Sequence, residues 1–205
     1  MPEWLILHQK QQKTMADPQF TLFGSSHRMG SYILLFHITS TVQLAFGRFQ
    51  QGKLFEIPEG DYIYLGSALG GTKSGSPLAR RVIRHTSRTG GKPHHRIRET
   101  MQNLFSEKTV MGTREIKPSA KKLRWHIDYL LDLPEAEITH IVLIRSPLRI
   151  EQKLSELLEH LDEISLIAPR LGAQDTKAST HILKLTGSDQ ILEVLHTNIP
   201  GMIHS

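Results

Sequence analysis

The sequence contains no cysteine among its 205 residues. A chain without cysteine has no disulfide framework, no thiolate zinc site, no iron–sulfur cluster and no cysteine nucleophile. The sequence also lacks any apolar run near the roughly 18 residues that a membrane-spanning helix needs. These two absences exclude thiol chemistry, and they lead us to expect a protein that does not contact membranes and resides in the reducing cytoplasm.

Charge of one sign is not in large excess either. Lysine and arginine total 25 against 20 for aspartate and glutamate, which gives a formal charge of +5. Hydrophobic residues make up 39% and charged residues 22%, as is typical of folded proteins. The mild positive charge is compatible with an anionic partner such as nucleic acid, but it does not identify one by itself.

The pattern of apolar segments and turn residues predicts a mixed α/β (α+β) protein with a small antiparallel sheet flanked by helices. The predicted strands are 31–38, 42–49, 61–65, 138–144 and 181–185. The predicted helices are 78–88, 94–105, 120–133, 148–161 and 188–196. Because turns separate the first three strands, they are expected to form an antiparallel meander.

The same pattern divides the chain into three parts. We predict an N-terminal extension over residues 1–29, a main domain over residues 30–187 and a C-terminal helix and tail over residues 188–205. Within the main domain, the basic stretch around residues 89–119 is interpreted as an insertion.

Two tyrosines of the third predicted strand share one face. Side chains alternate along a strand, so Tyr62 and Tyr64 point the same way, and Gly66 follows directly. They are either half-buried packing residues or phenols that transfer a proton in a cleft. The glycine-rich loop at 70–75 lacks the spacing of a phosphate-binding P-loop, so it does not predict a nucleotide site.

The following helix is basic. Ser76 and Pro77 predict its start, as a cap and a first-turn proline. Arg81 and His85 lie four residues apart in register with apolar positions, so they are expected to face a cleft, where a guanidinium can neutralise a phosphate. Arg84 and Arg88 are expected on the solvent side.

Two further groups of residues could carry chemistry. Trp125, His126, Asp128 and Tyr129 lie close together in the predicted helix 120–133, a density that core packing alone does not explain. His126 and Asp128 are two residues apart, which is not a helical metal-ligand spacing. Glu151 begins a later helix, where it either favours the helix dipole or serves as a lone carboxylate ligand of Mg²⁺.

Together these motifs resemble the GIY-YIG nuclease superfamily. Gly30-Ser31-Tyr32 matches the GIY element and Tyr64-Leu65-Gly66 the YIG element, while Arg81, His85 and Glu151 match the later arginine, histidine and metal-binding glutamate. More closely, GDYIYLGSA at 60–68 and WHIDYL at 125–130 resemble one branch of that superfamily. The branch is domain-of-unknown-function family 123, which is sometimes fused to endonuclease III-type DNA glycosylases.

The resemblance implies hydrolysis of DNA phosphodiester bonds, in DNA repair or processing, with one divalent cation, Mg²⁺ or Mn²⁺. It implies a tyrosine that helps to deprotonate water, transition-state stabilisation by Arg81 and a metal held by Glu151. The candidate catalytic residues are Tyr32, Tyr64, Arg81 and His85, with Tyr62, His126 and Asp128 in second rank. DNA and DNA repair proteins are the expected partners. The candidate nucleic-acid contacts are Lys73, Arg84, Arg88, Lys92, Arg96, Lys122 and Arg124.

Two departures from the family pattern leave other functions open. The GIY-like and YIG-like elements are farther apart than in the better-known nucleases, and the loop at 174–178 has none of the cysteines that the branch carries there. The alternatives are a catalytically inactive nucleic-acid-binding module, which would use basic residues such as Lys121 and Lys122, and a partner-binding domain in which the motif is a structural remnant.

Overall fold

The structure is a computed structural model that describes residues 19–24, 27–70, 75–106, 121–168, 171, 181–187 and 190–204. The strands are β1 (Phe20–Phe23), β2 (Gly30–Ile38), β3 (Val42–Ala45), β4 (Leu54–Ile57), β5 (Gly60–Ala68), β6 (Ala136–Ile144), β7 (Ile164–Leu166) and β8 (Ile182–Leu185). The α-helices are α1 (Pro77–His85), α2 (Ile97–Ser106), α3 (His126–Leu131), α4 (Glu151–Glu159) and α5 (Ile191–Ile203). Within the described ranges, no helix has the length and apolar character needed to cross a membrane.

Six strands form one sheet in the order β1-β6-β2-β5-β8-β7. Neighbouring strands are antiparallel except for the edge pair β1 and β6, which is parallel. The long strands β2 and β5 lie at the centre. Both faces of a central strand are covered, which explains the nearly unbroken apolar run of β2. The prediction of a mixed α+β fold with an antiparallel sheet flanked by helices is confirmed, and the sheet is larger than expected.

The sheet separates two hydrophobic cores. One face packs against α1, α2 and α3, with Tyr32, Tyr64 and Val82 in that core. The opposite face packs against α4 and α5, with Ile33, Leu65 and Leu154 in that core. Side chains therefore alternate between the two cores along β2 and β5, as the period-two rule requires. Tyr62 shares the α1 face with Tyr64, as predicted.

The predicted meander is wrong. β2 pairs directly with β5 along its whole length, from Gly30 opposite Ala68 to Ile38 opposite Gly60. The intervening β3 and β4 form a separate two-stranded ribbon, which packs on the core through Phe46, Phe55 and Ile57. The second predicted strand is also shorter than expected, because the chain turns after Ala45 and continues as a short 3-10 helix at Phe49–Gly52.

Only the second half of the predicted helix 120–133 is helical in the structure. Residues 121–125 are not helical, and α3 begins only at His126. The Asp128 carboxylate accepts hydrogen bonds from the backbone N–H groups of Arg124 and Trp125, so it caps the helix at this point. Residues 107–120, which include the first residue of this predicted helix, lie outside the described residues.

The other predicted helices are present with shifted ends. Ser76 caps α1 as predicted, because its hydroxyl accepts a hydrogen bond from the Ala79 N–H at 3.4 Å. The stretch predicted as an insertion contributes α2, whose Ile97 and Met101 are buried in the α1-side core. Within the predicted N-terminal extension, Phe20–Phe23 forms β1 at the edge of the main sheet.

Candidate active site

A cavity of about 610 Å³ lies beside the C-terminal part of β5. Five separate parts of the chain contribute side chains to it. Tyr64 comes from β5, Arg81 from α1, Trp125 from the segment before α3, and Glu151 from the first turn of α4. Arg80, Arg124 and His181 also line it. The cavity thus brings together three of the predicted site residues, Tyr64, Arg81 and Glu151, from both faces of the sheet.

Gly66 makes room for Tyr32 behind the cavity. The two residues are direct partners in the β2–β5 register. A Cβ atom on Gly66 would overlap the Tyr32 hydroxyl and ring, so only glycine fits opposite this tyrosine. Gly30 is similarly confined, because a Cβ there would overlap the Ile144 carbonyl oxygen. The glycines of the GIY-like and YIG-like elements therefore seat the first tyrosine between two central strands.

Tyr32 and His85 form a buried pair that faces Asp128. The Tyr32 hydroxyl lies 2.8 Å from His85 Nε2. On the other side of the ring, His85 Nδ1 lies 3.6 Å from an Asp128 carboxylate oxygen, which is longer than a hydrogen bond. A proton on Nδ1 is favoured opposite this carboxylate, so Nε2 accepts the hydrogen bond that Tyr32 donates. The burial of His85 lowers its pKa to about 4, and the ring is therefore neutral at pH 7.

Asp128 is the central hydrogen-bond acceptor on this side of the site, and its side chain is completely buried. It accepts two hydrogen bonds from the Arg84 guanidinium, at 2.6 and 2.8 Å, and two from backbone N–H groups at the start of α3. Burial alone would raise the pKa of Asp128. His85 and Arg84 outweigh that effect and hold the pKa below its usual range.

Three arginines that line the cavity pack against the Trp125 ring. The guanidinium carbons of Arg81 and Arg84 lie 4.2 and 4.4 Å from the Trp125 ring centroid, and that of Arg124 lies 5.2 Å away. Cation–π contacts at these distances are favourable, and they restrict long, flexible side chains. Arg81 is thus held at the cavity wall without a carboxylate partner among the ion pairs of the described residues.

Glu151 and His181 form the opposite wall. Glu151 Oε1 lies 3.7 Å from His181 Nδ1, and the Glu151 side chain is 30% exposed. Backbone contacts on both sides fix His181: its N–H donates to the Leu171 carbonyl, and its carbonyl accepts from the Leu65 N–H at 3.0 Å. In the described part of the chain, no three His, Cys, Asp or Glu side chains form a metal-binding group. The available oxygen donor is therefore one carboxylate, which suffices for Mg²⁺ when water completes its coordination.

The two tyrosines of the site are protonated phenols at neutral pH. Burial raises the pKa of Tyr64 above its ordinary value, and burial followed by the proximity of Tyr64 raises the pKa of Tyr32. Their rings lie 6.1 Å apart. Tyr64 lines the cavity, whereas Tyr32 is fully buried behind it. In this arrangement the Tyr64 hydroxyl can orient a water molecule by hydrogen bonding. Tyr32 lies behind Tyr64 in the protein interior.

Two second-rank candidates do not reach the cavity. The Tyr62 hydroxyl donates to the Pro58 carbonyl at 2.5 Å, its ring stacks on Phe36, and burial raises its pKa to about 12. His126 packs against Phe49 with ring centroids 4.8 Å apart. Neither side chain contributes to the cavity lining, whereas Asp128 acts on the site through its contacts with Arg84 and His85.

The expected solvent exposure of Arg84 and Arg88 is wrong. Arg84 is committed to Asp128 and to the Lys122 carbonyl. Arg88 is buried and donates to the carbonyls of Pro93 and Ala136. Apart from Pro93, these partners lie 38 to 48 residues further along the chain, so local helical periodicity could not reveal them.

The remaining predicted nucleic-acid contacts differ in their surroundings. Lys92 forms an ion pair with Asp132 at 2.7 Å. The Arg96 side chain is 88% exposed, and Lys122 is also exposed, but neither lines the cavity. Arg124 is exposed and does line it. Lys73 and the loop 174–178 lie outside the described residues.

Three cavity residues were absent from the sequence-based candidates. Arg80 lies next to Arg81 in the first turn of α1, which Ser76 and Pro77 begin. Its position in the sequence could therefore have identified it as a site residue. Trp125 stood out only as part of a dense cluster. His181 matches the histidine that the branch resembled by this sequence carries after the 174–178 loop, but only the pairing of β8 with β5 brings it next to the α4 N-terminus.

The fold and the cavity define an α+β protein with a polar site that spans both faces of a mainly antiparallel sheet. The chain belongs to the family described as a domain of unknown function, DUF123, whose model matches residues 31–204. No curated protein and no solved structure matches the chain.

Proposed function

We propose that this protein is a metal-dependent nuclease of the GIY-YIG type that hydrolyses DNA phosphodiester bonds. The observation that carries the proposal is the convergence of Tyr64, Arg81 and Glu151 on one cavity. These residues come from a strand, a helix and a second helix that lie far apart in the sequence, and they combine a phenol, a guanidinium and a carboxylate. That set matches the needs of phosphodiester hydrolysis, in which water is oriented and negative charge is neutralised.

Arg81 is the group that neutralises the reacting phosphate. Its guanidinium is held over Trp125 and lines the cavity, so it is placed before the substrate arrives. Preorganised cations of this kind stabilise charge that develops in the transition state. Arg80 and Arg124 line the same cavity and are exposed, which suits them to contact neighbouring phosphates of the substrate.

Tyr64 orients the attacking water, and Tyr32 with His85 supports it. Because the pKa of Tyr64 is raised, its hydroxyl is available both to donate and to accept a hydrogen bond at neutral pH. The neutral His85 ring accepts from Tyr32 at 2.8 Å and keeps that hydroxyl in one orientation. Asp128 in turn keeps the His85 ring in the required tautomer.

Glu151 would hold the divalent cation, Mg²⁺ or Mn²⁺, on the wall opposite Arg81. When bound, such a cation stabilises negative charge on the leaving oxygen. DNA is the proposed substrate and DNA repair the proposed setting, because the motifs resemble a branch that is sometimes fused to DNA glycosylases.

A second candidate is a module that binds nucleic acid without cutting it. Of the four arginines that line the cavity, Arg84 is bound to Asp128, and the other three, Arg80, Arg81 and Arg124, favour phosphate binding whether or not a metal is held. In that case binding would weaken steeply with salt and would survive the loss of Glu151.

The test is a cleavage assay on labelled duplex, single-stranded, gapped and branched DNA with Mg²⁺ or Mn²⁺. The proposal predicts cleavage by the parent protein and a loss of at least about 100-fold in Arg81→Ala. Lys53→Ala, which removes an exposed cation on the β3–β4 ribbon, is the matched control and should cut normally. Salt-dependent binding without any cleavage would instead support the binding module.

A further inference from the structure

We infer that Arg28 and Arg145 form a second phosphate-binding site, outside the cavity, that holds a backbone phosphate of the DNA strand whose reacting phosphate lies at Arg81. The inference rests on the proposed function for the identity of that strand. Its evidence is a pair of arginines that do not line the cavity and that the sequence motifs do not include. Arg28 precedes β2, and Arg145 follows β6.

Arg145 is a largely buried arginine that is held by one nitrogen atom of its guanidinium. The residue is 7% exposed, and its Nε donates a hydrogen bond to the His27 carbonyl at 3.0 Å. Among the described residues, no other hydrogen bond and no carboxylate engages this guanidinium. Its terminal nitrogen atoms are not among the completely buried groups that lack a partner, so they reach the protein surface. Arg145 therefore presents donors in a fixed position.

Two other largely buried arginines give the contrast, because they use their terminal nitrogen atoms inside the protein. Arg88 donates from both of them to backbone carbonyls, and one also faces Glu137 at 3.3 Å. Arg98 donates from Nη1 to the Ser87 hydroxyl. Internal acceptors explain the burial of these two side chains. Among the described residues, Arg145 has no such acceptor for its terminal donors.

Arg28 adds a second positive charge beside Arg145. Its side chain is exposed and has no carboxylate partner within the described ranges. Burial lowers the pKa of Arg145, and the proximity of the Arg28 charge lowers it further, although an arginine stays protonated at neutral pH. Two like charges repel each other, and an anion bound to both offsets this repulsion. A phosphate has enough acceptor oxygens to bind two guanidinium groups.

Both arginines belong to parts of the chain that adjoin the cavity. The Arg28 carbonyl accepts a hydrogen bond from the Ser76 hydroxyl at 3.3 Å, directly before α1. Pro77, the next residue, lines the cavity. Arg145 begins the connection that leads to Glu151, which also lines it. The pair therefore lies beside the part of the cavity formed by the starts of α1 and α4, where one DNA strand can contact both sites.

The test is fluorescence anisotropy of labelled DNA with the full chain in EDTA, so that no cleavage occurs. The inference predicts that Arg28→Gln and Arg145→Gln each weaken binding about fivefold or more, equally for unrelated DNA sequences. The slope of log affinity against log salt should become shallower by about one unit in each variant. Arg48→Gln removes the same charge from an exposed position between β3 and β4, and this control should bind like the parent protein.

Binding by both variants that matches the Arg48→Gln control would overturn the inference, as would a parent protein that binds no DNA. Arg28 is exposed, so Arg28→Gln keeps the test decisive if Arg145→Gln does not fold. Loss of folded protein reduces the amount of binding but leaves the salt slope unchanged. Cleavage is measured separately with Mg²⁺ or Mn²⁺. Binding that depends on the pair without any cleavage would remove the proposed nuclease activity and keep the second site, and cleavage with unaltered binding in both variants would do the reverse.

Discussion

The two walls of the cavity are built differently. On the arginine wall, formed by Arg81 and Arg84, the supporting carboxylate of Asp128 lies behind the cavity lining, is fully buried and takes four hydrogen bonds at 2.6 to 2.9 Å. On the glutamate wall, formed by Glu151 and His181, the carboxylate is 30% exposed and faces its neighbour at 3.7 Å. One wall is fixed by internal partners, and the other presents its donor atoms to the cavity.

This difference indicates that the arginine wall contributes mainly to the stability of the fold, whereas the glutamate wall remains available to a ligand. A buried carboxylate with several donors contributes to the fold, and removing it leaves other buried groups without partners. A half-exposed carboxylate contributes little to the fold and remains available to an ion. In the proposed function, the arginine wall is therefore preorganised for a phosphate, and the glutamate wall is completed by its ligand. Each prediction below challenges that distinction.

The largest expected effect is on stability and falls on the arginine wall. Asp128→Ala would leave the Arg84 guanidinium and two backbone N–H groups without their acceptor. We expect the free energy of unfolding to fall by about 3–5 kcal/mol, measured by urea denaturation. Asp162→Ala, which removes an exposed aspartate, should change it by less than about 0.5 kcal/mol. Equal effects of the two substitutions would show that Asp128 is not a structural anchor.

The glutamate wall should show the opposite behaviour. If the proposed function is right, Glu151→Gln should slow DNA cleavage by roughly 100- to 1,000-fold, because the carboxylate proposed to hold the cation loses its charge. The free energy of unfolding should change by no more than about 0.5 kcal/mol. Glu156→Gln removes an exposed glutamate on the same helix and is the control for both measurements. A large loss of stability in Glu151→Gln alone would erase the contrast between the walls.

Gly66→Ala tests whether Gly66 leaves the space that Tyr32 occupies behind the cavity. The added methyl group would overlap the Tyr32 ring, and we expect the free energy of unfolding to fall by about 1–3 kcal/mol. Gly187→Ala is the matched substitution, because a Cβ there meets Glu163 at an ordinary contact distance of 3.8 Å. Thermal unfolding of the two variants side by side measures the difference. If both melt like the parent protein, Tyr32 is not confined by Gly66.

The pH dependence of stability gives the smallest effect when it is expressed per pH unit. The pKa of His85 is lowered by burial to about 4 in the folded protein, against about 6.5 when unfolded. The unfolded chain therefore binds more protons between these values, so the free energy of unfolding falls as the pH drops from about 6.5 to 4. One such group contributes at most about 1.4 kcal/mol per pH unit.

His85→Gln should flatten this slope without abolishing it. His95 and His126 also have pKa values lowered by burial, and they titrate in the same direction. Below the ordinary pKa of an aspartate, protonation of Asp128 adds a further loss, because its folded pKa is depressed. Urea denaturation at pH 4.5, 5.5 and 6.5 measures the slope. An unchanged slope in His85→Gln would mean that His85 is not a buried neutral base.

The central strands could be predicted because their signal is local. The apolar run of β2 and the GDYIYLGSA segment of β5 each show a buried strand in a few residues. Which strands pair with each other was harder to predict from the sequence. A turn between neighbouring strands usually makes a hairpin, but here β3 and β4 pair only with each other, so β2 meets β5 directly.

The candidate site was predictable where the motif itself supplied it. Tyr64, Arg81 and Glu151 were found in this way, and they line one cavity. The burial of Arg88 depends on the Ala136 carbonyl, 48 residues further along the chain, so periodicity gave the wrong answer there. The helix start at His126 is set by the local hydrogen bonds of Asp128 to the backbone N–H groups of Arg124 and Trp125, which apolar periodicity does not detect. The resemblance to the family branch included His181, but its position beside Glu151 follows only from the pairing of β8 with β5.

The central claim is that the two walls act on one phosphate, and a double-mutant cycle on cleavage tests it most directly. Arg81→Lys and Glu151→Asp are conservative enough to leave a measurable single-turnover rate. If both side chains act on the same reacting group, the loss in the double variant should differ from the product of the single losses by about fivefold or more, which corresponds to about 1 kcal/mol of coupling. Losses that multiply without coupling, or a parent protein that cuts no DNA with any divalent ion, would contradict the account.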